Sequence, residues 1–213
     1  MIEAVIFDMD GTLIDSEILK KRAWKSILSN YGVNNGDKFY LDNIGNTSFF
    51  IAQQAIENYQ FTGEYKKISK EWHEEYLKIQ EKEIYPIDNS IEFLHSLFGN
   101  YKLGLASSEG LNIIKRNLRR LDIFELFDVI SSGGDEVDRN KPDPAIYSLS
   151  AMKLGIDSSR CLAIEDTQPG VISAKSAGMH CVGFINSNSG DQDFSLVDIK
   201  TDDLRNLSIA DIL

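Results

Sequence analysis

Asp8-Met9-Asp10-Gly11-Thr12 follows directly on the apolar run Ala4-Val5-Ile6-Phe7. Two carboxylates two residues apart, at the end of a buried strand, are costly unless something cationic compensates them. Gly11 and Thr12 suit a sharp turn in which backbone N–H groups face outward. The segment therefore has the parts to hold a divalent cation and to present one carboxylate to an electrophile. A strand ending in solvated acidic turn residues would read the same way, so the rest of the chain has to decide.

Chemistry at a strand end needs a sheet to position it. From Pro86 onward, short apolar segments alternate with helical ones. Asn89 or Ser90 is placed to cap a helix carrying Ile91, Leu94, Leu97 and Phe98, with Gly99 as its stop. Tyr101–Ala106 reads as a strand, followed by a helix with Ile114, Leu118 and Leu121 and a strand near Phe127–Ile130. Pro144 opens a helix that ends at Gly155. Cys161–Ile164 is a strand, Gly170–Ala177 a helix and His180–Ile185 another strand. Alternation of this kind implies a parallel sheet covered on both faces. Residues 16–83 differ, with apolar residues at helical spacing. Trp24, Ile27, Leu28 and Tyr31 share one face before Gly32, and Tyr65, Ile68, Trp72, Tyr76 and Ile79 share another. Between them, Ile44–Ser48 reads as a turn into a helix around Phe50–Tyr59, capped by Thr47 or Asn46. The expected fold is a doubly wound, Rossmann-like α/β core over residues 1–15 and 84–213, with a helical domain inserted at 16–83.

In open α/β sheets ligands bind beyond the carboxyl ends of the strands. Asp8 ends the first strand, Ser107 follows Tyr101–Ala106, and Glu165-Asp166 follow Cys161–Ile164. Polar residues of a consistent type thus gather at one sheet edge. Lys141, flanked by Pro142 and Pro144, can be aimed there at low entropic cost. Four carboxylates (Asp8, Asp10, Glu165, Asp166) against one ammonium leave an excess that a divalent cation would balance, and an all-oxygen set favours Mg²⁺ over zinc or copper. Taken singly, Ser107 could be a helix cap, Lys141 a loop charge and Glu165-Asp166 a solvated strand end.

With these residues in order, the chain resembles the haloacid dehalogenase-type phosphohydrolase superfamily, in the branch with a helical cap inserted after the first motif. The motifs are Asp8-Met9-Asp10-Gly11-Thr12-Leu13, Ser107, Lys141-Pro142, and Ile164-Glu165-Asp166-Thr167 followed by Gly170. The resemblance implies that Asp8 attacks phosphorus, that Asp10 is the general acid and base, and that Asp8, Asp166 and the Asp10 carbonyl ligate Mg²⁺. Glu165 would ligate the ion too or orient its waters. Ser107, Lys141 and the turn around Gly11 and Thr12 would hold the phosphoryl oxygens. Asp10 also points to phosphoryl transfer, since dehalogenases need no acid at that position.

Within the branch, the chain is similar to β-phosphoglucomutases and to sugar-phosphate phosphatases. Lys20 stands where the mutases carry a histidine, and the turn Gly45-Asn46-Thr47-Ser48 is neutral where they place an arginine. Ser107-Ser108-Glu109-Gly110 also lacks the lysine that follows their second motif. These departures favour hydrolysis of a small phosphorylated sugar or polyol, with a mutase as the alternative and Lys20, Asn46 and Thr47 as candidate substrate contacts. A non-catalytic module of the same fold would be expected to have lost Asp8, Asp10, Lys141 or Asp166, and all four are present.

Composition agrees. A formal net charge of −11 argues against nucleic-acid or anionic-membrane partners, but a local metal site can still take a small anion. No apolar stretch reaches membrane-spanning length, and the acidic start lacks the basic-then-apolar pattern of a signal peptide. His73, His95 and His180 show no ligand or catalytic spacing. Cys161 and Cys181 lie in strand-like runs and read as buried, reduced thiols of a cytoplasmic protein. Nothing marks an exposed apolar interface, so a monomer is expected.

Overall fold

The computed structural model describes residues 1–44 and 46–212. Strand β1 (Ala4–Phe7) is followed by helices α1 (Glu17–Ser29), α2 (Gly36–Leu41), α3 (Ser48–Tyr59) and α4 (Tyr65–Lys82). The chain continues through α5 (Asp88–Leu97), β2 (Lys102–Ser107), α6 (Leu111–Arg120), β3 (Val129–Ser132) and α7 (Ala145–Leu154). It ends with β4 (Cys161–Glu165), α8 (Gln168–Ser176), β5 (His180–Phe184) and β6 (Ile199–Thr201). Two compact units result. One comprises Met1–Ile14, Pro86–Ser187 and Asp191–Leu213, the other Asp15–Tyr85 with Asn188–Gly190.

The first unit is built on a six-stranded parallel sheet of order β3-β2-β1-β4-β5-β6. β1 is central, and all four of its residues are fully buried, as expected for a strand covered on both faces. Phe7 packs toward Phe93 of α5 and Phe127, with ring centroids 6.2 and 6.5 Å away. On the other face, Ala4 and Ile6 share a core with Cys161 and Ala163 of β4, Ile146 and Tyr147 of α7, and Val171 and Ala174 of α8. Gly104 of β2 leaves room for this packing: a Cβ there would lie 3.1 Å from Ile6 Cγ1. Both cysteines are buried free thiols, and burial pushes Cys161 up to about 11, with Cys181 also shifted upward.

The regular elements described in the second unit are the helices α1–α4, of which the spacing of apolar residues predicts α1, α3 and α4. Trp24, Ile27 and Leu28 of α1 form a core with Phe39 and Tyr40 of α2, Ile51, Ala52 and Ala55 of α3, and Ile68 of α4. Trp72 stacks between Trp24 and Tyr76, at 5.3 and 5.7 Å. Thr47 caps α3 by accepting the Phe50 N–H, and Gly45 of the expected turn lies outside the described residues. Among the described residues, no helix is long and apolar enough to cross a membrane.

One local expectation needs correction, and two short elements carry no sequence signal. α5 begins earlier than expected, with Ile87 at its N-cap, so Asn89 and Ser90 lie inside the helix. The six-residue α2 and three-residue β6 carry too few residues for a periodic signal.

Ile6 fills space on the sheet face that carries Asp8. Ile6→Ala should lower stability by about 2–5 kcal/mol, read from the denaturant midpoint, and an unchanged midpoint would show that this core is not as tightly packed as described.

Candidate active site

Alternation along the strands decides where the acidic residues point. Side chains two apart share a sheet face, so Asp8 continues the row of Ala4 and Ile6, and Glu165 continues that of Cys161 and Ala163. Both rows face α7. The register sets β1 beside β4, with Phe7 opposite Ile164 and the Asp8 N–H donating to the Ile164 carbonyl at 3.0 Å. Connections leave β1 and β4 toward opposite sides of this sheet order, the place where open α/β sheets bind ligands.

Lys141, in the loop before α7, reaches this edge and is almost fully buried. Its ammonium donates to Asp8 Oδ1 at 2.5 Å, Glu165 Oε1 at 2.7 Å and the Ala106 carbonyl at 2.9 Å. Three N–H groups thus meet three acceptors. Asn140 sets the loop: its Oδ1 accepts from the Lys141 N–H and the Ser108 hydroxyl at 2.9 and 2.8 Å, and its Nδ2 donates to the Ser108 carbonyl. Burial alone would drive Lys141 toward its neutral form, but the charges of Asp8 and Glu165 outweigh it and hold the ammonium above the ordinary lysine value.

Asp8, Glu165 and Asp166 are all buried, and one carboxylate oxygen from each lies within 4.8 Å of the others. Burial pushes the Asp8 carboxyl up to about 7, against the downward pull of Lys141 and with added repulsion from Glu165 and Asp10. Three buried carboxylates therefore face a single ammonium. An all-oxygen set with this excess of negative charge suits a hard divalent cation, so the residues fit the metal that the family resemblance implies.

Two glycines make the close packing possible. Gly11 has φ +89°, and a Cβ there would lie 1.9 Å from Asp166 Oδ2; a Cβ on Gly170 would lie 1.8 Å from Glu165 Oε1. Thr12 is fully buried and donates to Asp166 Oδ1 at 3.4 Å. The expectation that the Gly11 N–H faces outward is not met, because it donates to the Ile14 carbonyl at 2.7 Å and closes the turn. Ser107 is buried at the end of β2, and its Oγ accepts the Glu109 N–H at 3.2 Å. It is no helix cap: Gly110 holds that position on α6.

Asp8, Asp10, Gly11, Thr12, Ser107, Lys141, Glu165 and Asp166 all belong to the sheet unit, whereas Lys20, Asn46 and Thr47 belong to the helical unit. There Lys20 pairs with Glu17 at 2.6 Å, and the Tyr40 hydroxyl donates to the other Glu17 oxygen at 2.5 Å. Asn46 donates to the Asn43 carbonyl, and the Ser48 hydroxyl meets that of Ser69 at 2.7 Å.

Besides Asn140, three residues contribute in ways to which the sequence reading assigns no role. Tyr147 donates to Glu165 Oε1 at 2.9 Å, yet its place on α7 reads as one more apolar-face residue. Thr167 donates to Glu165 Oε2 through both its N–H and its hydroxyl. Asn186 donates to the Gly11 carbonyl at 2.9 Å. Position beside a motif could have flagged Thr167 and Asn140, but nothing local marks Asn186 or Tyr147.

Gly11→Ala meets both a left-handed backbone and the Asp166 carboxylate. It should destabilise the protein by more than about 1 kcal/mol, measured by thermal unfolding, and wild-type stability would contradict this account of the turn.

Comparison with known proteins places this geometry. A family model described as haloacid dehalogenase-like hydrolase matches residues 5–184. The phosphorylated carbohydrates phosphatase of Thermotoga maritima is 32% identical over 195 residues, covering 87% of each chain. Hexitol phosphatase B of Escherichia coli K12 is 30% identical over 226 residues, covering 100% of this chain and 97% of that one. The crystal structure of β-phosphoglucomutase from Clostridium difficile has a TM-score of 0.73 at 27% identity, over 100% of this chain and 96% of that one. The chain therefore belongs to the haloacid dehalogenase-like hydrolases and is an enzyme of their phosphatase type.

Proposed function

We propose that this enzyme is a Mg²⁺-dependent phosphomonoesterase acting on small phosphorylated sugars or polyols through a phosphoaspartyl intermediate on Asp8. The observation that carries the reading is Asp8 itself: a buried carboxylate in contact with Lys141, clustered with Glu165 and Asp166 at the switch edge of a parallel sheet. The substrate class is supported by the relatives named as carbohydrate and hexitol phosphatases.

In the first displacement, a carboxylate oxygen of Asp8 attacks phosphorus. The bond to the leaving oxygen breaks with its electron pair going to that oxygen, and Asp10 supplies the proton. In the second, water attacks phosphorus, Asp10 takes its proton, and the bond to Asp8 breaks. Inorganic phosphate leaves and the Asp8 carboxylate is restored. Splitting hydrolysis this way replaces one difficult step by two easier ones.

Lys141 has a specific part. Its contacts with Ala106 and Glu165 keep it in place, while the N–H that meets Asp8 is redirected to a phosphoryl oxygen as Asp8 bonds to phosphorus. Donors already placed where charge develops are the main source of stabilisation in such transfers. Ser107 and the turn at Thr12 border the same edge. Asp8, Asp166 and the Asp10 carbonyl would hold the Mg²⁺, which when bound neutralises charge on the phosphoryl oxygens. Glu165 stands behind them. Lys141 and Tyr147 on Oε1, with two Thr167 donors on Oε2, occupy the roughly four acceptor positions that a carboxylate offers.

Similarity to a β-phosphoglucomutase keeps phosphosugar transfer as a second reading. Against it, Lys20 is engaged by Glu17, and Asn46, Thr47 and Ser48 bring no cation to bind the second phosphate of a bisphosphate.

Asp8→Asn should abolish phosphate release from sugar phosphates, and Asp10→Asn should lower kcat roughly 10²–10⁴-fold, as followed by a phosphate assay. EDTA should stop wild-type turnover, and added Mg²⁺ should restore it. Undiminished release by Asp8→Asn or in EDTA would sink the mechanism. Incubating β-glucose 1-phosphate with a trace of glucose 1,6-bisphosphate should give no glucose 6-phosphate beyond background, and its accumulation without free phosphate would make the enzyme a mutase.

A further inference from the structure

Glu165 and Lys141 form the buried pair behind the proposed nucleophile, and one residue of α7 touches both. The Tyr147 hydroxyl donates to Glu165 Oε1, the oxygen that also receives Lys141, and the Tyr147 ring centroid lies 5.1 Å from the Lys141 ammonium. Tyr147 is fully buried in the core shared by β1, β4, α7 and α8. Pro144 at the start of α7 and the sheet beneath it fix the helix, so the ring has little freedom to follow a moving partner.

The two carboxylate oxygens of Glu165 are held from different sides. Thr167 fixes Oε2 at 3.0 and 3.2 Å, and Gly170 presses against the carboxylate from α8. Among the described residues, Lys141 and Tyr147 are the hydrogen-bond donors to Oε1. Without the phenol, Oε1 would have the ammonium as its one donor among the described residues, and its undiminished negative charge would draw that ammonium closer to Glu165 and away from Asp8. The face of the Tyr147 ring, 5.1 Å from the ammonium, adds a second contact that helps to hold Lys141 in place.

We propose that Tyr147 is a positioning residue that divides Lys141 between Glu165 and Asp8, and so sets the ammonium where the phosphoryl oxygens arrive. This rests on the reading of Lys141 as a phosphate holder. It adds a residue outside the recognised motifs whose hydroxyl, not only its bulk, the reaction needs.

Tyr147→Phe separates the two, since it keeps the ring and its packing and removes one oxygen. The variant should keep the wild-type thermal midpoint within about 3 °C, a shift that corresponds to about the loss of one typical hydrogen bond. Its kcat/KM should fall roughly 10–100-fold, the usual effect of removing a partner that orients a site group. Binding of inorganic phosphate with Mg²⁺ present, measured by calorimetry, should weaken in parallel. In a Glu165→Gln background, Tyr147→Phe should add less than about a twofold further loss of phosphate affinity, because coupled residues are not additive. Wild-type kcat/KM and phosphate affinity in Tyr147→Phe, or losses that multiply with those of Glu165→Gln, would overturn the proposal and leave Tyr147 a packing residue. Phosphate calorimetry needs no turnover, so the inference and the proposed substrate class can fail separately.

Discussion

Three carboxylates buried at the ends of two neighbouring parallel strands are the constraint around which the sheet unit is organised. Taking even one such ion out of water costs several kcal/mol unless it is paired and hydrogen-bonded. Lys141 compensates one charge, Thr12 and Thr167 donate to the carboxylates of Asp166 and Glu165, and the Asp166 and Glu165 carboxylates are packed against glycines where any side chain would collide. Even so, burial, with added repulsion from Glu165 and Asp10, holds the Asp8 carboxyl at about 7 against the pull of Lys141. A fold selected for stability alone would place apolar residues here. The arrangement makes physical sense if a cation and a phosphoryl group are the missing partners.

The helical unit follows a different logic. Its centre is a conventional apolar core around Trp24, Leu28, Phe39 and Ile68, and most of its ion pairs, such as Lys25 with Asp37 and Arg22 with Glu83, lie in exposed positions where they contribute little. Glu17 is the exception, a largely shielded carboxylate shared by Lys20 and Tyr40. The net charge of −11 does not oppose an anionic substrate at the reacting site, because surface charges are screened beyond about 8 Å at physiological salt. At the carboxylate cluster itself, the nearby positive charge is that of Lys141.

The motif residues were legible because their types conflict with their surroundings. Asp8 and Glu165-Asp166 interrupt apolar strands, and Lys141 stands in a proline-fixed loop, so a sequence alone shows that something must compensate them. The parallel sheet was legible from apolar runs such as Cys161–Ile164, buried on both faces. Tyr147 was not, because on α7 it has the spacing of a core residue and is one; only three-dimensional placement shows its hydroxyl on Glu165. Gly11 was legible as a turn residue, but its role beside Asp166 depends on β4, far away in the chain. β6 and α2 escaped because three and six residues leave periodicity nothing to act on. Ile87 precedes α5 without a capping side chain, which left Asn89 and Ser90 as the more attractive but wrong starts.

The claim on which the rest depends is that Asp8 becomes covalently phosphorylated. Borohydride added during turnover of a sugar phosphate reduces an acyl phosphate to an alcohol, and peptide mass spectrometry then locates it. The account predicts homoserine at position 8, dependent on both substrate and Mg²⁺. Continued phosphate release with Asp8 unreduced, or with the reduced residue at another carboxylate, would contradict it.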